Sequence, residues 1–185
     1  MKLLVTGASI RGLPVVTLAG EDVAEVRDIV YRAEEGRVVG FTLNKRGRLS
    51  GRMKAVLPSG RVRAIGRDAV MIDDEDQISD REQAPSEVAS PEGGRDVIGN
   101  DVLTETGVSL GRVRDVVVLA GSTGEVVGYQ IDLSAGGLGY IPLPAQLSVS
   151  GAALVVPEVT EQFVRDDLVG LGAAVDDFRA RLAIR

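Results

Sequence analysis

The chain contains no cysteine, no histidine and no tryptophan, and aromatic residues make up only 3% of it. Without cysteine there is no disulfide and no thiolate nucleophile or metal ligand. Without histidine the commonest general base and the commonest metal ligand are both missing. The prior for catalysis falls accordingly, and neither a cofactor nor a metal is expected. No apolar run approaches the ~18–20 residues that a membrane span needs. The start, Met1-Lys2-Leu3-Leu4-Val5, lacks the longer apolar region of a signal peptide. These absences predict a soluble, cytoplasmic, non-enzymatic protein.

What is present is aliphatic. Hydrophobic residues reach 44% and glycine accounts for 23 of 185 positions. A core built from Val, Leu, Ile and Ala, with many glycines, favours short strands joined by tight turns. The net charge of −6 discourages polyanion binding by the molecule as a whole.

The same pattern occurs twice. At a constant shift of 87, Gly12 meets Gly99, Gly20 meets Gly107, and Val26-Arg27-Asp28 meets Val113-Arg114-Asp115. After one inserted residue, Gly36-Arg37-Val38-Val39-Gly40-Phe41 meets Gly124-Glu125-Val126-Val127-Gly128-Tyr129. Further on, Val56-Leu57-Pro58 meets Tyr140-Ile141-Pro142, and Ala69 to Ile72 meets Ala153 to Val156. Each copy reads as strands around turns. One strand runs to Tyr31, turns at Glu34-Glu35-Gly36 and returns over Arg37 to Leu43. A second pair, Val62 to Ile65 and Ala69 to Ile72, surrounds Gly66-Arg67-Asp68. A small aliphatic sheet buries its apolar face by curling closed. The expected fold is mainly β, two tandem small antiparallel barrels with a C-terminal amphipathic helix. The expected boundaries are 1–74 for the first barrel, 75–93 for an acidic, Pro/Gly-containing linker, 94–157 for the second barrel and 158–185 for the tail.

Three blocks carry a family resemblance. They are Thr104-Glu105-Thr106-Gly107 leading to Gly111, Val113 and Asp115; Gly124 to Gly128; and Gly136-Gly137-Leu138-Gly139 followed by Ile141-Pro142-Leu143. The chain resembles the PRC-barrel family, the small β-barrels related to the cytoplasmic part of the photosynthetic reaction centre H subunit. The first copy keeps Val26-x-Asp28 and Gly36-x-Val38-Val39-Gly40 and has Ala24 where the second has Gly111. The resemblance implies a non-catalytic module. One branch of the family docks on a membrane photosynthetic complex and another forms part of a ribosome maturation factor. Neither role transfers, because the sequence shows neither the membrane helix of the H subunit nor the accessory N-terminal barrel of the ribosome factor, and fold alone does not fix function.

Several motifs suggest chemistry and fail a closer reading. Leu3 to Gly12 resembles the glycine-rich start of short-chain dehydrogenases, but Leu13-Pro14-Val15-Val16-Thr17 is poor material for the helix that would receive a pyrophosphate. A turn entering the first barrel is the reading retained. Gly136-Gly137-Leu138-Gly139 has no following Lys and is not a P-loop. Asp73-Asp74-Glu75-Asp76 lacks the Gly and Glu positions of a calcium loop and reads as solvated linker. Asp28 and Asp115 hold equivalent places in separate copies, where they pin the strand that leaves each Gly20 or Gly107 turn.

Two features remain as candidate partner surfaces. From Lys45 to Arg67 stand Lys45, Arg46, Arg48, Arg52, Lys54, Arg61, Arg63 and Arg67 with no acidic residue between them. A positive face of this kind can bind an acidic protein, an anionic surface or RNA, although no aromatics interleave for base stacking. It can also meet the acidic linker or another subunit. The tail gives the second feature: Val164, Leu168, Leu171, Val175, Phe178 and Leu182 fall on one stripe of a helix predicted to start under a Thr160 cap. Glu161, Asp166 and Asp167 suit its first turns, and Arg179, Arg181 and Arg185 its end. Its own barrel, another subunit and a foreign protein are all open as the cover for that stripe. The expected function is a docking module with a protein partner, self-associating as a homo-oligomer. An accessory role on RNA or the ribosome is the alternative, and a nucleotide-binding enzyme a weaker one.

Overall fold

The computed structural model describes residues 2–33, 35–46, 51–89, 97–144, 148–150 and 153–184. In the first copy, β2 (Pro14–Thr17), β3 (Asp22–Arg32), β4 (Arg37–Lys45), β5 (Gly51–Pro58), β6 (Val62–Ile65) and β7 (Val70–Ile72) form a sheet of order β6-β7-β2-β3-β4-β5. In the second, β9 (Asp101–Thr104), β10 (Ser109–Leu119), β11 (Val126–Leu133), β12 (Leu138–Pro142), β13 (Ser148–Ser150) and β14 (Ala153–Val156) repeat it as β13-β14-β9-β10-β11-β12. The two orders are the same strand for strand, as the sequence repeat requires.

Connectivity shows that the first sheet is rolled. Strands β5 and β6 stand at opposite ends of a six-strand order, yet only Ser59–Arg61 joins them. Six strands laid flat would put those ends about 24 Å apart at ~4.8 Å per strand. Four residue steps reach about 14 Å at most. Only a curled sheet brings its first and sixth strands within that reach. The ladders are antiparallel except in one place per copy: β2 pairs parallel with β7, and β9 parallel with β14. The expected antiparallel barrels thus each contain one parallel pair.

The repeated Val-Arg-Asp block is a β-bulge. Register shifts fall between Val26 and Asp28 on β3 and between Val113 and Asp115 on β10, so Arg27 and Arg114 are the extra residues. A bulge reverses which face the following side chains take. Val113, Val116 and Val118 accordingly line the main core, while Val117 lies on the opposite face. The first copy does the same, with Val26, Ile29 and Tyr31 against the core and Val30 on the other face.

The copies are not separate beads. A single cluster of buried side chains runs through both of them. The N-terminal strand β1 (Leu4–Thr6), assigned by sequence to the first barrel, pairs with β10 of the second copy, Val5 opposite Val118. The equivalent segments Gly36–Val38 and Gly124–Val126 face each other across a pseudo-two-fold axis. The Val38 N–H donates to the Gly124 carbonyl at 2.9 Å, and the Val126 N–H donates to the Gly36 carbonyl at 3.2 Å. Arg37 and Glu125, which match in the repeat, form the bridge at the centre. This is the isologous geometry of a symmetric dimer, built within one chain.

A buried pair of tyrosines also joins the copies. Tyr31 and Tyr129 are fully buried, their hydroxyls hydrogen-bond to each other, and their rings meet edge to face at 6.1 Å. Burial is the main cause that pushes the Tyr31 hydroxyl up to about 12 and the Tyr129 hydroxyl further up still. Because these folded-state values lie above the ordinary value of 10.0, the native state holds protons that the unfolded chain releases. Stability is therefore expected to be unaffected below pH ~10 and to fall steadily from about pH 10 to 12. Denaturant midpoints measured across that range check this, and the double variant Y31F/Y129F should flatten the decline.

The segment after each barrel repeats as well. In the first copy a 3₁₀ turn, Glu75–Gln77, is followed by β8 (Ser79–Asp80), which pairs with β5, and then by α2 (Ser86–Ala89). In the second copy a 3₁₀ helix, Glu158–Phe163, is followed by a bridge from Arg165 to Tyr140 on β12, and then by α3 (Leu168–Ala183). Residues 75–89, read from composition as linker, are the first copy's version of the C-terminal tail. Residues 90–96, which hold the end of the expected linker and the start of the expected second barrel, lie outside the described residues.

Candidate partner-docking surface

The β4–β5 hairpin carries the cationic segment. Register places Asn44 opposite Arg52 and Lys45 opposite Gly51, so Lys45, Arg46, Arg52 and Lys54 share its far end. Arg48 lies outside the described residues, and Lys45 and Arg52 are described only in their backbone. The Arg46 guanidinium pairs with Asp22 and, at 3.3 Å, with Glu25 on neighbouring β3; these contacts, that to Asp22 first, raise its already high pKa. Lys54 is exposed and has no ion-pair partner among the described residues.

The remaining cations face the acidic segment. Arg63 pairs with Asp73 at 2.9 Å and Arg67 with its neighbour Asp68 at 3.3 Å. The Arg61 guanidinium donates to the Ser79 hydroxyl at 2.7 Å and to the Gln77 carbonyl at 3.4 Å. Arg61 and Arg63 thus meet residues 73–79 of their own chain, and among the described cations of the hairpin Lys54 is the one without an ion-pair partner. The equivalent hairpin of the second copy, β11–β12, turns through Ser134-Ala135-Gly136-Gly137 with no charge. Gly136 and Gly137 both have positive φ there, so this glycine run makes a tight turn.

The tail stripe is covered by its own chain. Leu171 and Val175 pack on Leu4, Val117 and Val127. Phe178 is fully buried against Phe163, ring centres 5.3 Å apart. Leu168 and Leu182 are half-buried, and Val164 precedes the helix and packs on the main core. The helix cap is Asp167, whose carboxylate accepts the Gly170 N–H at 2.6 Å. Thr160, the expected cap, sits fully buried in the preceding 3₁₀ helix. Two salt bridges, Lys2 with Asp176 and Arg179 with Glu125, hold the outer side of α3.

The glycine-rich start forms only α1 (Gly7–Ile10), one turn closed by a reciprocal Thr6–Ser9 capping box. Among the described residues no cluster of acidic side chains has the geometry to hold a metal, and no helix is long and apolar enough to cross a membrane. Asp115 has a long-range role that the sequence did not disclose. Its buried carboxylate accepts the Ala8 N–H at 2.6 Å and the Val116 N–H at 2.9 Å. It ties α1 to the second copy, and a Cβ at Gly7 would lie 2.5 Å from that carboxylate. Asp28, its counterpart, accepts from Arg11 and from the Ile29 N–H, both at 2.9 Å.

A further surface escaped the sequence reading. Each sheet has an apolar outer face, and on it Gly40 and Gly128 leave the backbone bare for a covering aliphatic side chain. The recurrence of the last glycine in Gly-x-Val-Val-Gly was the available clue. The model of the PRC-barrel domain matches the chain twice, over residues 4–78 and 92–163. Among curated proteins no relative matches it.

Proposed function

This chain belongs to the PRC-barrel domain family, and from that premise we propose that it is a non-catalytic interaction module that docks on an acidic protein partner through the cationic end of the β4–β5 hairpin. The observation that carries this reading is the divergence of two otherwise matched hairpins. One ends in Lys45, Arg46, Arg48, Arg52 and Lys54, the other in a short uncharged glycine turn. The barrel needs only the turn, and a run of like charge costs stability through self-repulsion unless it serves an encounter. Loops held by a rigid scaffold are where binding residues concentrate.

Gly36–Val38 is already paired with Gly124–Val126 inside the chain, so these segments are not available to pair a second copy. A homo-oligomer would have to use another surface.

The test is the charge-reversed variant K45E/R48E/R52E/K54E. Immobilised wild-type chain is expected to retain a protein partner from lysate of the cells that make it, with retention falling as salt rises. The variant should retain about tenfold less, with an unchanged unfolding midpoint. Equal retention by both overturns the reading. Retention that disappears on ribonuclease treatment replaces the acidic protein with RNA as the partner.

A further inference from the structure

The two copies cover their outer faces by the same device and to very different extents. In the second copy Leu171 and Val175 of the 16-residue α3 lie on Val117 and Val127. In the first copy the matching residues Val30 and Val39, with Val56, are covered by Val88 of the four-residue α2. The floor is the same in both. A Cβ at Gly40 would stand 2.6 Å from Val88 Cγ1, and a Cβ at Gly128 would stand 3.1 Å from Leu171 Cδ2. Beside α2 lies a polar cleft of about 610 Å³ lined by Lys54, Asp80, Arg81, Glu82, Gln83 and Ala89. A helix of one turn has no stability of its own; α2 is held on the sheet by its buried Val88, by Ala84 just before it and by the Arg81 Nε–H, which donates to the Ala89 carbonyl at 2.7 Å.

We infer that the outer face of the first copy is a receptor groove for an amphipathic helix of a partner protein, closed at rest by α2, which the incoming helix displaces. The occupant presents aliphatic residues four apart, as α3 does with Leu171 and Val175, because the floor that receives it is the one α3 already fits. A carboxylate on its flank meets Lys54, the exposed lysine on the cleft wall. The inference rests on the docking reading in taking a protein as partner, and the two surfaces share only Lys54.

The probe is a labelled peptide of residues 164–184 of this chain, titrated into the full-length protein and followed by fluorescence anisotropy. V88S removes the buried contact that helps hold α2 down, so it is expected to bind the peptide about tenfold more tightly than wild type. The wild-type protein gives an independent readout by hydrogen exchange. The Val88 and Ala89 amides, which donate to the Pro85 carbonyl at 2.9 and 3.0 Å, should exchange faster when the peptide is saturating, while amides of α3 hold steady. Equal affinity of V88S and wild type, with the Val88 and Ala89 amides unmoved, overturns the inference. Dimerisation of V88S seen by light scattering overturns the partner in favour of a second copy. The K45E/R48E/R52E/K54E variant separates the two proposals: Lys54 is only one flank contact, so most peptide affinity should survive there even if hairpin docking fails.

Discussion

Phe178→Ala is expected to destabilise the protein by about 3–5 kcal/mol, read as a lower urea midpoint at unchanged slope. Phe178 is fully buried, stacks edge to face on Phe163, and closes a small cluster with Ala174, Val159 and Leu182. Removing its ring deletes that burial and leaves a cavity between helix and 3₁₀ turn that neither element can close without leaving the sheet. A tail helix that only waited for a partner would lose nothing measurable from the same change. Val169, on the solvent side of the same helix and 63% exposed, supplies the control, since V169A should stay within about 0.5 kcal/mol of wild type.

Asp115→Ala should cost about 2–4 kcal/mol. The carboxylate is 4% exposed and holds two backbone N–H groups, those of Ala8 and Val116. Alanine leaves both donors without that acceptor; the Val116 N–H is buried, where an unmet donor costs about 1–3 kcal/mol, and the Ala8 N–H is part-buried and adds less. The loss should be localised as well: amide exchange should rise first in α1, which Asp115 ties to the second copy, while β1 keeps its own pairing with β10. The equivalent change at Asp28 should cost less, since that side chain is 29% exposed and pairs with a surface arginine.

These two residues mark the limits of what the sequence disclosed. The repeat, the hairpins and the fold class were legible because aliphatic alternation and glycine turns are local signals. The Val26–Asp28 and Val113–Asp115 blocks were recognised as equivalent, but their bulges were not. A bulge shows itself only when the register of the partner strand is known. Nor did the sequence disclose that Asp115 would reach Ala8, 107 residues earlier in the chain. The parallel pairs β2·β7 and β9·β14 were missed for the same reason, because they join strands that no turn connects. The helix start was misplaced from Asp167 to Thr160. Both residue types cap well, and only the buried 3₁₀ turn before Val164 decides between them. At the candidate site the cationic run was visible in composition. That Arg63 and Arg61 would be met by Asp73 and Ser79 depended on how the acidic segment folds back.

The Arg37–Glu125 bridge has one more consequence. A homodimer writes every substitution twice, so a change that helps one half must be tolerated by the other. A chain that carries both halves of its own symmetric pair is released from that constraint. One hairpin can gather charge while its twin shrinks to glycine, and one covering helix can lengthen while the other stays a single turn. Fusion also fixes the pairing at any dilution, so the melting temperature should not depend on how much protein is in the cell.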